Sequence, residues 1–245
     1  MDRRSHELVA KGLVKTFGRR TVVRGVDLRF VSSRIVGLLG PNGAGKTTTF
    51  SMLVGLVQPT AGQIRLDGED ITAMPMHQRA RAGIAYLPQE PSAFRKMTVE
   101  ENLMAVLEYT DLDTVERAAR VDAGLGEMNI RPLAKFPAYS LSGGERRRVE
   151  VARALVLSPK FFLLDEPFSG IDPIAVAEIQ RHVLRLREQG IGVVISDHNV
   201  REMLSIADEG YVLAGGTILR HGSPPELAAD PEVRKIFLGD SFSLG

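Results

Sequence analysis

The chain has 245 residues, of which 44% are hydrophobic, and a formal net charge of +1. That length suits one large domain or two small ones with a sizeable core, and the balanced charge supplies no global field to draw the chain onto nucleic acid or anionic lipid. The absence of cysteine excludes disulfides, thiolate zinc sites and a cysteine nucleophile, while charges every few residues from Met1 to Arg20 argue against a secretory signal, and apolar runs such as Phe161 to Leu164 are far too short to span a bilayer.

The first third is rich in strand signals. Leu8 to Ala10, Val26 to Phe30 and the apolar run Ile35 to Leu39 read as strands. The Pro-free stretch Thr48 to Leu56 reads as a helix, and Gln63 to Asp67 alternates with period two before an Asp67-Gly68 turn. Met76 to Ala82 predicts a short helix ending at Gly83, and Ile84 to Leu87 a strand stopped by Pro88. From Thr98 to Lys135 the period becomes helical, and Thr98 followed by Glu101 predicts a capping box. This stretch reads as a helical subdomain inserted between two strands of an α/β core. The core resumes at Phe161, with a helix over Ile174 to Glu188, a strand over Gly192 to Ser196 and a hairpin over Val212 to Leu219 through Gly215-Gly216. The expected organisation is a single domain over 1–245, with a core of about 1–90 and 158–230, a helical subdomain of about 91–157 and a tail of about 231–245.

Three strings carry chemistry. Gly40, Pro41, Asn42, Gly43, Ala44, Gly45, Lys46, Thr47 and Thr48 lie between a predicted strand and a predicted helix. A glycine-rich turn in that place lets backbone N–H groups approach a phosphate closely, and the helix dipole favours the same anion. Lys46 can reach the β- and γ-phosphates, and the Thr47 hydroxyl can ligate Mg²⁺. Phe161 to Glu166 reads as a buried strand ending in two carboxylates. Neighbours at a strand end point in different directions, so Asp165 can serve the Mg²⁺ shell while Glu166 orients a water, which are parts that phosphoryl transfer needs. Leu141 to Glu145 predicts a helix start, with Ser142 as N-cap and Glu145 closing a capping box. Ser142, Gly143, Gly144 and Glu145 also form a second anion site. Two anion sites for one triphosphate point to two copies packed head-to-tail, each covering the γ-phosphate held by the other's Lys46.

In this order, the motifs resemble those of the ATP-binding cassette (ABC) ATPases over nearly the whole chain. The resemblance implies a P-loop NTPase cassette of α/β class, with a RecA-like core, an N-terminal antiparallel β subdomain and the inserted helical subdomain. It also implies ATP and Mg²⁺ as cofactors and a nucleotide-sandwich homodimer. By the same resemblance Gln89 matches the glutamine that contacts Mg²⁺ and the attacking water, and Ser169 to Asp172 match the loop that crosses the dimer seam. His198 matches the switch histidine, and Phe17 the aromatic that stacks on adenine. Glu166, His198, Gln89 and Lys46 are then the catalytic set, and Thr47, Gln89 and Asp165 the metal set. Family members drive two membrane subunits through coupling helices, and Phe94 and Arg95, within Pro91 to Met97, are the candidate docking residues.

Finer strings are similar to the lipopolysaccharide-export branch of the family: Gly83 to Arg95, Asn102 to Leu107, Ser142 to Val149, Asp197 to Glu202 and Phe237 to Phe242. That likeness implies a protein peripheral on the cytoplasmic face of the inner membrane, bound there only through two permease subunits, with no nucleic-acid partner. Arg146-Arg147-Arg148 reads as a solvated helix face supporting the signature turn. An ATPase for branched-chain amino acid import, and a soluble ABC protein outside transport, are the alternatives.

Overall fold

The computed structural model describes residues 5–170, 172–239 and 242. The elements run β1 (Glu7–Phe17), β2 (Arg20–Val31), β3 (Ile35–Leu39), α1 (Lys46–Val54), β4 (Ala61–Leu66), β5 (Glu69–Asp70), α2 (Met76–Ala82) and β6 (Ile84–Leu87). They continue with α3 (Val99–Leu107), α4 (Thr114–Glu127), α5 (Gly143–Leu155), β7 (Phe161–Asp165), α6 (Pro173–Glu188) and β8 (Gly192–Ser196). The chain then forms α7 (Val200–Leu204), β9 (Glu209–Ala214), β10 (Thr217–Gly222) and α8 (Pro224–Ala229), followed by helical turns over Pro231–Val233 and Arg234–Leu238.

Two sheets organise these elements. A four-stranded antiparallel sheet has the order β2-β1-β4-β5, and a six-stranded sheet has the order β10-β9-β3-β8-β7-β6. In the larger sheet β6, β7, β8, β3 and β9 are parallel, and β10 returns antiparallel to β9. The central strands β3, β7 and β8 are buried at every position, as expected of a parallel sheet covered on both faces. Alternate residues serve different cores. Phe162, Leu164, Val193 and Ile195 pack with the helices α3 to α6, while Phe161, Leu163, Val194 and Leu38 pack with α1 and the antiparallel sheet.

The predicted strands and helices are present; β2 is longer than expected, starting at Arg20 rather than Val26, and three further changes of extent have a local cause. β1 runs well past Ala10, because the register shifts around Gly12 (φ +59°) break the alternation that a sequence reading relies on. α1 starts at Lys46 rather than Thr48 and ends before Gly55, whose φ of +83° caps it. The strand of the acidic pair ends at Asp165, since Glu166 takes φ +48° and leaves the sheet. The capping boxes expected at Thr98–Glu101 and Ser142–Glu145 are both formed.

Candidate active site

The parallel strands end on one rim, where the candidate residues gather. Leu38, Ser196 and Asp165 are paired across β3, β8 and β7 in a single row. Leu87 of β6 pairs with Leu164, so Gln89 leaves the sheet beside the acidic pair. Ligands of such sheets bind beyond the carboxyl ends of the strands.

The turn after β3 is shaped by contacts that only glycine permits. A Cβ on Gly40 (φ +144°) would overlap the Leu213 carbonyl oxygen, and one on Gly45 (φ +106°) would lie 3.2 Å from the Val22 oxygen. Ala44 is buried in the core, and its N–H closes the turn to Pro41 at 3.2 Å. Asn42, Gly43 and Thr47 are exposed. No side chain caps α1, whose first residues follow the left-handed Gly45, so its N-terminal N–H groups face the turn. Lys46 is buried and donates to the carbonyls of Gly40 at 2.6 Å and Pro41 at 3.2 Å. Burial lowers its pKa, and the nearby carboxylates Glu166, Asp165 and Asp197 oppose that shift.

Asp165 and Glu166 diverge as their strand-end position requires. Asp165 is buried, and burial followed by the neighbouring Glu166 charge raises its pKa. One of its oxygens faces the Tyr86 hydroxyl at 3.4 Å, and the other is buried with no hydrogen-bond partner. Glu166 turns outward, with its N–H bonded to the Ser196 carbonyl at 2.6 Å. Its Oε2 accepts from Gln89 Nε2 at 2.9 Å and from Ser169 Oγ at 3.0 Å. The same oxygen lies 3.5 Å from His198 Nδ1, which is 3.2 Å from Ser169 Oγ. Three side chains, from the loops after β6, β7 and β8, thus converge on one carboxylate.

Phe17 stands at the end of β1, opposite Arg20. Its ring is half exposed, and the Lys15 ammonium lies 5.0 Å from the ring centroid. Three residues beyond Arg20, Val23 packs toward Gly45, so the β1–β2 hairpin borders the phosphate loop. Ser142, Gly143 and Gly144 are exposed at the start of α5, where Ser142 Oγ donates to Glu145 at 2.7 Å. Bonds from Ser142 hold the Glu145 pKa low. Within this chain, no hydrogen bond among the described residues joins that turn to the Lys46 loop. Phe94 is exposed, with the Arg153 guanidinium 4.9 Å from its ring centroid, and Arg95 and Lys96 beside it are exposed too.

The arginine triplet is not a free solvated face. Arg146 donates to the Leu141 carbonyl, Arg147 to the Pro88 carbonyl, and Arg148 pairs with Glu178 at 3.8 Å. Its side chains were needed to tie the signature helix to its neighbours, which a run of charge in sequence does not reveal. Ile171, in the seam loop, and Asp240 and Ser241, in the tail string, lie outside the described residues.

Some structural parts had no sequence signal of their own. Asp197 is fully buried and accepts the N–H groups of Phe168 and Asn199, each at 2.8 Å, which fixes the loops on both sides of the site. Burial raises its pKa. Arg79 is buried whole and donates to the carbonyls of Met52, Leu53, Thr72 and Met74. It thereby closes the carboxyl end of α1 from the α2 side. An arginine in a short amphipathic helix reads as a surface residue until its fold is known.

The family model for ABC transporters matches residues 23–169. The chain belongs to the ABC transporter ATP-binding family and is an ATPase. It is 56% identical over 98% of its length to the lipopolysaccharide export system ATP-binding protein LptB of Acidithiobacillus ferridurans, all of which is covered. It is 51% identical over 97% of its length to the protein of the same name from Escherichia coli strain K12, 99% of which is covered. Among solved structures, an ATP-binding cassette of an ABC transporter in its ADP conformation superposes with a TM-score of 0.85 at 28% identity, covering 96% of this chain and 99% of that one.

Proposed function

We propose that this chain is the ATP-hydrolysing subunit of a lipopolysaccharide export transporter, working as a nucleotide-sandwich homodimer beneath two inner-membrane permease subunits. The observation that supports the substrate is the end-to-end likeness to lipopolysaccharide export ATP-binding proteins, at 51–56% identity. The likeness spans the tail and the helical insert as well as the shared motifs. No helix among the described residues is long and apolar enough to cross a membrane, so in this reading attachment to the inner membrane's cytoplasmic face comes through the permeases.

In this reading Phe17 stacks on adenine, and the amides of the 40–48 turn and the start of α1 surround the β-phosphate. Lys46 exchanges its two carbonyl partners for phosphate oxygens. Asp165, with a buried oxygen that lacks a partner, Thr47, with an exposed hydroxyl, and Gln89 beside the acidic pair would hold Mg²⁺. The described residues hold no cluster of three or more His, Asp or Glu able to grip an ion alone. When bound, the ion neutralises charge on the phosphates. Glu166 then accepts a proton from the attacking water, which Gln89 and His198 orient, and the Ser142 turn of the second protomer covers the γ-phosphate. Phe94 and Arg95 receive a coupling helix of the permease.

Purification from solubilised Gram-negative inner membranes tests this function. Recovery with two permeases and bound lipopolysaccharide is expected, whereas recovery with an amino acid import complex would replace the substrate assignment.

A further inference from the structure

The loop that carries Gln89 is held by the helix that begins at Ser142, through a side chain outside every motif. Glu150 lies about two turns into α5 and is 3% exposed. Its Oε1 accepts the N–H groups of Ser92 at 2.6 Å and Ala93 at 3.0 Å. Its Oε2 faces Arg147 Nη1 at 3.3 Å, and that nitrogen also donates to the Pro88 carbonyl at 2.9 Å. Arg153, one turn further along, donates to the Ser92 carbonyl and hydroxyl, each at 2.7 Å, and covers the Phe94 ring. Asn102 of α3 continues the clamp, accepting the Phe94 N–H at 2.8 Å and donating to the Phe94 carbonyl at 3.1 Å.

The anchors of residues 88–94 therefore fall on α5 and α3. Toward the sheet, the loop's one side-chain hydrogen bond among the described residues runs from Gln89 to Glu166. A buried carboxylate between two arginines is a poor source of stability, because desolvation offsets much of the attraction. What it does supply is geometry, since each of its oxygens fixes named donors.

We propose that Glu150 is a positioning residue for hydrolysis. It makes the 88–94 loop part of the α5 body, so the Gln89–Glu166 contact is made or broken as the signature helix moves against the sheet. A partner pressing on Phe94 then reaches both the catalytic carboxylate and the Ser142 turn through one carboxylate. This inference rests on the reading of Gln89 as a group that acts beside Glu166.

The chain contains no tryptophan, so Phe94→Trp places a unique fluorophore on the clamped loop, and this chain is the reference. In that background, Glu150→Gln keeps an acceptor for the Ser92 and Ala93 amides but turns an NH₂ toward Arg147, and Glu150→Ala removes both. Tryptophan anisotropy is expected to fall in the order reference, Gln, Ala. The kcat for ATP is expected to fall about threefold for Gln and about tenfold for Ala, the latter equal to ~1.4 kcal/mol, with KM within twofold. Unchanged kcat in the Gln variant, a loss confined to KM, or a loss of kcat with unchanged anisotropy would each overturn the proposal. Should the Ala variant not fold, the Gln variant decides alone. Gln89→Ala in the same assay separates the two readings: if it leaves kcat intact, the role of Gln89 fails, while anisotropy still reports whether Glu150 holds the loop.

Discussion

Gln89 Nε2 lies 2.9 Å from Glu166 Oε2, joining the loop after β6 to the carboxylate after β7. The adjacent strands deliver the two residues side by side, since Leu87 pairs with Leu164. In the proposed mechanism, a water that displaces this contact finds an amide and a carboxylate already facing each other. Glu166→Gln keeps the shape and removes the base. Hydrolysis should fall roughly a hundred- to ten-thousand-fold, with ATP still bound. Phosphate release and light scattering with Mg²⁺-ATP check this. A dimer that persists with nucleotide is the expected outcome, and sustained turnover would remove Glu166 from the assigned role.

In the proposed reading the Ser142 turn and the Lys46 loop, which share no hydrogen bond among the described residues, cooperate across two copies. A Ser142→Arg chain and a Lys46→Ala chain should each be inactive alone. Mixed in equal amounts, they should recover about a quarter of wild-type activity, because random pairing yields half mixed dimers with one intact site each. No recovery on mixing would argue that both motifs serve the same protomer.

Asp165 gives a pH-dependent prediction. Burial and the Glu166 charge raise its pKa above the ordinary 3.8. The folded chain therefore holds this proton more tightly than the unfolded chain does. The stability it contributes is present at low pH and is lost as pH climbs from about 3.8 through the raised value. Asp165→Asn should thus raise the melting temperature of the nucleotide-free chain at neutral pH, with the gain shrinking toward pH 3. The same variant should lose most of its Mg²⁺-dependent stabilisation by ATP. Thermal scans across pH, with and without Mg²⁺-ATP, read both effects.

Arg79 tests the fold beneath the phosphate loop. Its guanidinium closes the end of α1 through four carbonyl contacts. Arg79→Met would leave those carbonyls buried and unpaired, at a cost of about 3 kcal/mol. For a chain of this size that corresponds to a fall in melting temperature of roughly 6–12 °C. A change below 2 °C would show that water replaces the guanidinium freely.

Phe94 separates docking from chemistry. Its ring is exposed and rests on Arg153 rather than in the core. Phe94→Ala should abolish stimulation of ATPase activity by membrane partners while the isolated chain keeps its rate. Loss of the isolated rate would reassign the ring to supporting the Gln89 loop.

Much of this architecture is written in local patterns. The buried runs Ile35 to Leu39 and Phe161 to Leu164 have strand length and apolar residues throughout, as strands of a parallel sheet covered on both faces do. Ser142 and Glu145 are three residues apart, and the capping box follows from that spacing alone. The contacts that escape sequence are those between segments far apart in the chain. Glu150 meets Ser92 across 58 residues, and Asp197 meets Phe168 across 29. Nothing in the run of charges around Glu150 marks it in the sequence as a buried residue. The bulged course of β1 escaped for another reason, since Gly12 interrupts the period that marks a strand.

The row formed by Leu38, Ser196 and Asp165 gathers the chemistry on one rim and leaves the other end of the larger sheet to different uses. There Ser33, Lys160 and Gly190 border an open cleft of about 1310 Å³, also lined by Arg120 and Glu127 of α4. A dye, a fusion or a surface tether attached at that end sits a full strand length from the nucleotide. Turnover could be watched one molecule at a time from there without a handle on any catalytic loop.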